Sequence, residues 1–233
     1  MTPGDDRRGD GVADPARRFA ALVAGPPTGL QLDEACALLA ASFTGEDRTT
    51  QVVAALDAFA AECGDASLPA VLAAMRGRLR GNDEDYYDPR NSYIDAVLER
   101  GVGLPITLSV IAIELGRRLG IPIGGVGLPG HFMVRDERDD LYGDPFHDGA
   151  LYDRTGVMAA WERLVGPGQP FDPMHLAPVS ERAILIRMLN NLRGVHLKAG
   201  NAVALHALAL LRGAFVEFAD EEPQHARWMR HWN

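Results

Sequence analysis

The segment LPITLSVIAIELGRRLG, residues 104–120, constrains the fold more than any other part of the chain. Its apolar residues fall nearly all round a helix, the pattern of a helix buried on every side rather than one laid on a surface. Pro105 stands where such a helix begins, because the missing N–H is one the first turn leaves unpaired anyway. Gly120 stands where it ends. The segment is too short to span a bilayer as one apolar run. It therefore reads as the central helix of a domain whose other elements form the coat.

Those other elements can be read in order. Residues 1–13 are polar and read as a disordered lead-in. Asp14 followed by Pro15 is a helix start, and the turn compositions GPPTG, TGED and GDAS separate helices expected near 15–24, 31–43, 47–63 and 68–80. In the second of these, Leu32, Ala35, Cys36, Leu39 and Phe43 share one face. A polar loop at 81–92 and a short helix around SYIDAVLERG lead into the central helix. After it, IPIGGVGL, HFMVRD and LYGDPF are short, partly alternating and separated by turn residues. They predict a small antiparallel sheet with a hairpin turn at ERDD and one strand that starts at His131. Beyond Thr155 the pattern returns to helix, with Ser180 or Pro178 opening the longest one. The expected class is α+β and mainly helical, a single domain over 14–233 made of a helical layer (14–80), a core (81–153) and C-terminal helices (154–233).

Composition removes several functions. The formal net charge is -9, which disfavours non-specific nucleic-acid binding and anionic membrane surfaces. The opening residues lack the apolar core of an export signal, so a cytoplasmic setting is expected. Cys36 and Cys63, the two cysteines, then read as reduced thiols rather than a disulfide or a zinc motif.

The order buried helix, strand, His131, strand ending at Asp144 is how a papain-like or transglutaminase-like site is assembled. There the nucleophile sits at the helix N-terminus, where the dipole and free amides lower a thiol pKa, a His on the next strand is the base, and an Asp orients it. The plainer reading is a packed His and a turn-forming Asp before Pro145. His131, Asp144, His147 and Asp148 could gather around a metal, although DPFHDG reads equally as a solvated turn and no ligand spacing is recognisable; no metal or other cofactor is expected. Thr107 and Ser109, inside the central helix, read as hydroxyls bonded back to helix carbonyls or capping the helix start. Asn91 and Ser92 read as helix caps. Tyr86, Tyr87 and Tyr93 are placed either at a cleft mouth or as loop anchors. Arg135 and Arg187 are expected to pair with carboxylates, and Asn190 and Asn191 to need partners if buried. His196 and His206 read as packing or surface residues, while His225 and His231 sit in a polar tail.

The run NSYIDAVLERGVGLPITLSVIAIELGRRLGIPIGGVGLPGHFMVR, followed by DPFHDG, resembles the transglutaminase-like domain of bacterial SirB-type proteins. AILIRMLNNLR resembles the segment that follows this domain in that group, and YYDPRNSY fits its lead-in. The likeness is clear from about residue 82 to 195 and extends more weakly over 30–80. It rests on PGHF and DPF occurring together at this spacing. The resemblance implies a transglutaminase-like core in which His131 matches the family His and Asp144 the family Asp. Counting back from Gly120-Ile121-Pro122 puts the family's cysteine at or beside Pro105, which has neither a nucleophile nor an N–H for an oxyanion. The SirB-type group shares this departure.

The leading expectation is therefore a non-catalytic binding or regulatory module for a protein or peptide partner. Its cleft would be built from His131, Asp144 and Pro105, with Thr107, Ser109, Asn91, Tyr93 and His147 nearby. The alternative is a hydrolase or acyltransferase of altered mechanism, with His131 as base, Asp144 as orienter and Ser109, Thr107 or water as nucleophile. A third reading gives the His–Asp pair a structural role only.

Overall fold

A computed structural model describes residues 14–26, 29–166 and 168–221. The expected disordered lead-in at 1–13, and His225 and His231, lie outside the described residues. The N-terminal layer is four helices: α1 (Pro15–Val23), α2 (Leu32–Thr44), α3 (Thr49–Ala61) and α4 (Leu68–Met75). Asp14 caps α1 by accepting from the Ala16 amide at 3.2 Å, and Pro15 occupies the first helical position, as the Asp-Pro pair implies. Helix α4 stops at Met75 rather than running to residue 80. Gly77 turns the chain at φ 86°, and Arg80–Gly81 leaves the helical pattern to form strand β1.

Helix α5 (Ile94–Arg100) and the two-residue strand β2 (Val102–Gly103) precede α6 (Pro105–Leu119). Strands β1 and β2 pair in parallel, Arg80 opposite Val102 and Gly81 opposite Gly103, an arrangement with no signature in so short a run. Helix α6 is buried along almost its whole length, from Pro105 to Gly116, with Gly120 left-handed at φ 71° as the C-cap. The all-round apolar pattern is thus what it implied, a helix enclosed on every side.

The sheet that follows has five strands rather than the three expected. They are β3 (Ile123–Val126), β4 (Met133–Asp136), β5 (Leu141–Asp144), β6 (Ala150–Tyr152) and β7 (Pro178–Val179), in the spatial order β6-β5-β4-β3-β7. All neighbours are antiparallel. The hairpin between β4 and β5 turns through Asp140 at φ 52°, where an aspartate tolerates the left-handed region. His131 lies just before β4 and not on it. Its amide closes a turn onto the Leu128 carbonyl at 3.1 Å instead of joining the ladder.

Helices α7 (Arg154–Val165), α8 (Glu181–Ala199) and α9 (Ala202–Arg212) follow, and a 3-10 turn (Val216–Glu221) ends the described residues. Asp153 caps α7, and Ser180, not Pro178, caps α8, each accepting from an amide three residues on. Pleating sends alternate side chains to opposite faces of the sheet. Ile123, Phe132 and Val134 join the main core with α6, which packs on β3 and β4. Val126, Met133 and Tyr142 join a second cluster with Val157 and Trp161 of α7.

Candidate functional site

His131 and Asp144 meet. Imidazole Nε2 of His131 lies 2.7 Å from Oδ2 of Asp144, and both residues are buried. The contact follows from register: β4 and β5 are neighbours, and His131 precedes one while Asp144 ends the other. A third group converges on the same oxygen. Nδ1 of His147 lies 2.8 Å from Oδ2 of Asp144. The turn after β5 makes this possible. The Asp144 Oδ1 atom accepts from the amides of Phe146 (3.1 Å) and His147 (3.2 Å), an Asx-type turn. Asp148 at φ 52° and Gly149 at φ 65° then return the chain into β6. One carboxylate oxygen is thus held by backbone, and the other faces two imidazoles. Burial by itself pushes the Asp144 carboxyl up. The hydrogen bonds and charge of His131 and His147 outweigh it and hold the group below the usual aspartate value.

The segment carrying His131 is braced from two helices. Arg187 of α8 donates from Nη2 to the carbonyls of Leu128 and His131, both at 2.7 Å, with its guanidinium over the Phe132 ring. Trp161 of α7 donates from Nε1 to the Pro129 carbonyl at 3.3 Å. Arg187 therefore spends its charge on backbone dipoles and not on the carboxylate expected for it. Arg135 does find one, at 2.9 Å from Asp140. Asn190 bonds Arg212 at 2.7 Å from the exposed side of α8.

A cavity of about 320 Å³ opens beside the cluster, lined by His131, Asp144 and His147 and walled by Met133, Trp161 and Leu164. Tyr152 and Arg163 also border it. Sequence reasoning missed this wall. Trp161, an aromatic inside a helical pattern, was the one available signal, and nothing local says that its helix covers His131.

The other expected site residues lie elsewhere. Pro105, Thr107, Ser109, Asn91 and Tyr93 do not line this cavity. Pro105 is buried at the first position of α6, behind Leu104 as N-cap. The Thr107 and Ser109 hydroxyls are buried without any hydrogen-bond partner, so neither bonds back to a helix carbonyl, caps the helix or reaches His131. Asn91 is not a cap. Its side chain accepts from Asn82 at 3.0 Å and donates to the Asp85 carbonyl at 2.7 Å, pinning the 82–86 loop. Ser92 is buried and unpartnered, and α5 begins with no side-chain cap. Tyr93 is buried, stacks on Phe43 at 5.5 Å and does not line this cavity. Phe146 occupies ground near the pair, edge-on to His131 at 6.0 Å. The same ring lies so close to Gly81 that a Cβ there would sit 2.7 Å from it.

Neither thiol approaches His131 within hydrogen-bonding distance. Cys36 is fully buried against the Met188 sulfur at 3.7 Å, and Cys63 bonds the Phe59 carbonyl at the end of α3. His196 is buried on α8, stacked on Phe43, and His206 lies exposed on α9.

A family model described as Transglutaminase-like superfamily matches residues 30–190. The chain belongs to the transglutaminase-like superfamily. Among curated relatives, a UPF0162 protein of Xylella fastidiosa is 46% identical over 121 residues, covering 50% of this chain and 43% of that protein. A UPF0162 protein of Pseudomonas aeruginosa is 37% identical over 123 residues, covering 52% of this chain and 45% of that one. F-box only protein 21 of Homo sapiens is 30% identical over 133 residues, covering 53% of this chain and 20% of that protein. The matched stretch thus spans less than half the length of each of these relatives. No solved structure matches the chain. Among the described residues no helix is long and apolar enough to cross a membrane.

Proposed function

We propose that this chain is a non-catalytic, SirB-type binding module whose cavity beside His131, Asp144 and His147 holds a segment of a protein or peptide partner. One observation carries the reading. Among the described residues the side-chain hydrogen-bond partner of His131 is a carboxylate, and no hydroxyl or thiol stands within hydrogen-bond reach of its ring. A base without a nucleophile in reach lacks the first requirement of covalent acyl transfer. The start of α6, where the superfamily's cysteine would fall, is Pro105, which offers no amide to an oxyanion. An apolar wall with a few convergent polar groups suits binding of a peptide segment. The F-box-named relative is in keeping with a protein-interaction role. The unit we propose is residues 14–233 as one domain, supported by a core that runs contiguously from Phe19 to Phe215. A cytoplasmic setting, in which both thiols stay reduced, goes with it.

The test has two arms. Amide, ester and glutamine-donor transamidation substrates are assayed with the wild-type chain and with His131→Ala. The expected result is no turnover by either. Turnover that disappears with His131→Ala overturns the reading in favour of a hydrolase or acyltransferase that uses water as nucleophile. In the second arm, peptides selected from a displayed random library are titrated against the intrinsic tryptophan fluorescence of the chain, to which Trp161 at the cavity contributes. Binding that Leu164→Asp abolishes is expected, because Leu164 lines the cavity and is exposed enough to change without disturbing the core. Failure to select any peptide dependent on Leu164 overturns the binding site proposed.

A further inference from the structure

We propose that His131 Nε2, Asp144 Oδ2 and His147 Nδ1 together form a binding site for a divalent first-row transition metal ion. The argument begins with the donor set. Two imidazoles and one carboxylate are the ligand types that zinc and its neighbours take from proteins, and three protein ligands with open positions is the arrangement of a site that also binds a further ligand. The three donor atoms lie within 4.8 Å of one another, and two of the three separations are 2.7 and 2.8 Å. Metal–ligand bonds of about 2.1 Å at angles between octahedral and tetrahedral need donor atoms about 3.0–3.4 Å apart. The cluster reaches that spacing if the exposed His147 ring swings outward and the His131–Asp144 contact lengthens, each by a few tenths of an ångström. The ion would take the place of any proton held between each ring nitrogen and Oδ2, and those protons would be released to solvent.

The supporting atoms are already in place. The carboxylate is oriented by two backbone amides on Oδ1, which leaves Oδ2 free to face an ion. Such outer contacts are what hold a first-shell ligand in position. The His131 segment is fixed by Arg187 and Trp161, so its ring does not have to be ordered on binding. Positions not filled by protein would face the 320 Å³ cavity. Arg163 borders that cavity, so an anionic oxygen, such as a carboxylate, is the ligand class that completes the sphere. This inference does not rest on the peptide-binding reading, since an ion can occupy the cluster whether or not a segment enters the cavity.

The experiment is calorimetric titration of Zn2+ into the full chain after chelator treatment, with Co2+ absorbance as a geometric readout. One Zn2+ per chain is expected, together with visible Co2+ bands of a low-coordinate nitrogen and oxygen site. His147→Ala, at an exposed position, should weaken the site by roughly 100-fold or more, the upper end of what losing one supporting group costs. Asp144→Asn keeps the turn and should weaken it as well, while His206→Ala and a double His225→Ala, His231→Ala variant should not. Circular dichroism confirms that each variant is folded. No stoichiometric binding, or binding that His147→Ala leaves unchanged, overturns the proposal. Zn2+ binding without any cavity-dependent peptide would retain this site and remove the peptide reading, and the reverse result would do the opposite.

Discussion

Replacing Arg118 with Met should destabilise the fold by about 3 kcal/mol, the lower end of the cost of removing one member of a buried ion pair. Near the C-terminus of α6, Arg118 reaches Asp33 of α2 at 2.6 Å, Glu114 at 2.8 Å and Asp57 of α3 at 2.7 Å. Asp33 and Glu114 are 1% and 2% exposed, so their charges have no water to fall back on. Glu114 also accepts the Leu32 amide at 3.1 Å, serving one of the unpaired donors at the start of α2. Arg117 contacts both carboxylates as well, at 3.0 and 2.8 Å, but is half exposed. Arg117 therefore softens the loss of Arg118 without replacing it, and Arg117→Met should itself cost only about 1 kcal/mol.

The assay is urea unfolding followed by circular dichroism. With a slope of about 3 kcal/mol/M for a chain of this size, Arg118→Met lowers the midpoint by about 1 M. The pH dependence supplies a second check. Burial first, and then the charge of Asp33, push the Glu114 carboxyl above its ordinary 4.5. For Asp33, burial pushes up but is outweighed by the Arg118 hydrogen bond, the Glu34 amide and both guanidinium charges, which hold it below 3.8. A group with a raised carboxyl pKa takes up a proton on folding, so its contribution to stability falls as pH rises through the window above 4.5. Asp33 contributes stability that is complete above 3.8 and is lost as pH falls below it. In Arg118→Met the Glu114 window widens upward, so the deficit is greatest near neutrality and narrows toward pH 4.5. Equal costs for the two arginine variants, or a deficit that does not narrow with falling pH, would refute this account of the cluster.

Two further outcomes follow from packing. Gly143→Ala should cost about 1–3 kcal/mol of overpacking, read as a lowered thermal midpoint, because a Cβ there would lie 2.4 Å from Leu72 Cδ1 and 3.3 Å from Val134 Cγ2; Leu72→Ala in the same chain should recover part of the packing strain. Cys36 should stay unmodified by a thiol reagent in the native chain while Cys63 reacts slowly, since complete burial, with Glu114 and Asp33 nearby, pushes the Cys36 thiol far up, whereas Cys63 is only partly covered. Equal modification rates in the native state would contradict that burial.

Periodicity and turn chemistry along the chain were enough to define α6, the first three N-terminal helices to within a few residues, the start of the fourth, the β3–β5 strands and the caps at Asp14 and Ser180. Each depends on residues within one or two turns of one another, so the information is local. The pairing of His131 with Asp144 was also legible, through the order of elements and the PGHF and DPF motifs. Tertiary structure alone decided the rest. The pairing of β1 with β2 and of β3 with β7 joins segments about twenty to fifty residues apart through too few residues to carry a pattern. Asn91 reads locally as a cap, yet its amide is claimed by the 82–86 loop folded over it. His147 was legible as a candidate near the cleft, but it is the Asx-type turn, with Asp144 Oδ1 accepting from the Phe146 and His147 amides, that brings its ring back to Asp144. The cavity wall comes from α7, and the brace on His131 from Arg187, fifty-six residues further along the chain. Such contacts arise because a sheet has two faces to cover, and which distant helix covers each face is settled by the packing of the whole chain, not by any stretch of it.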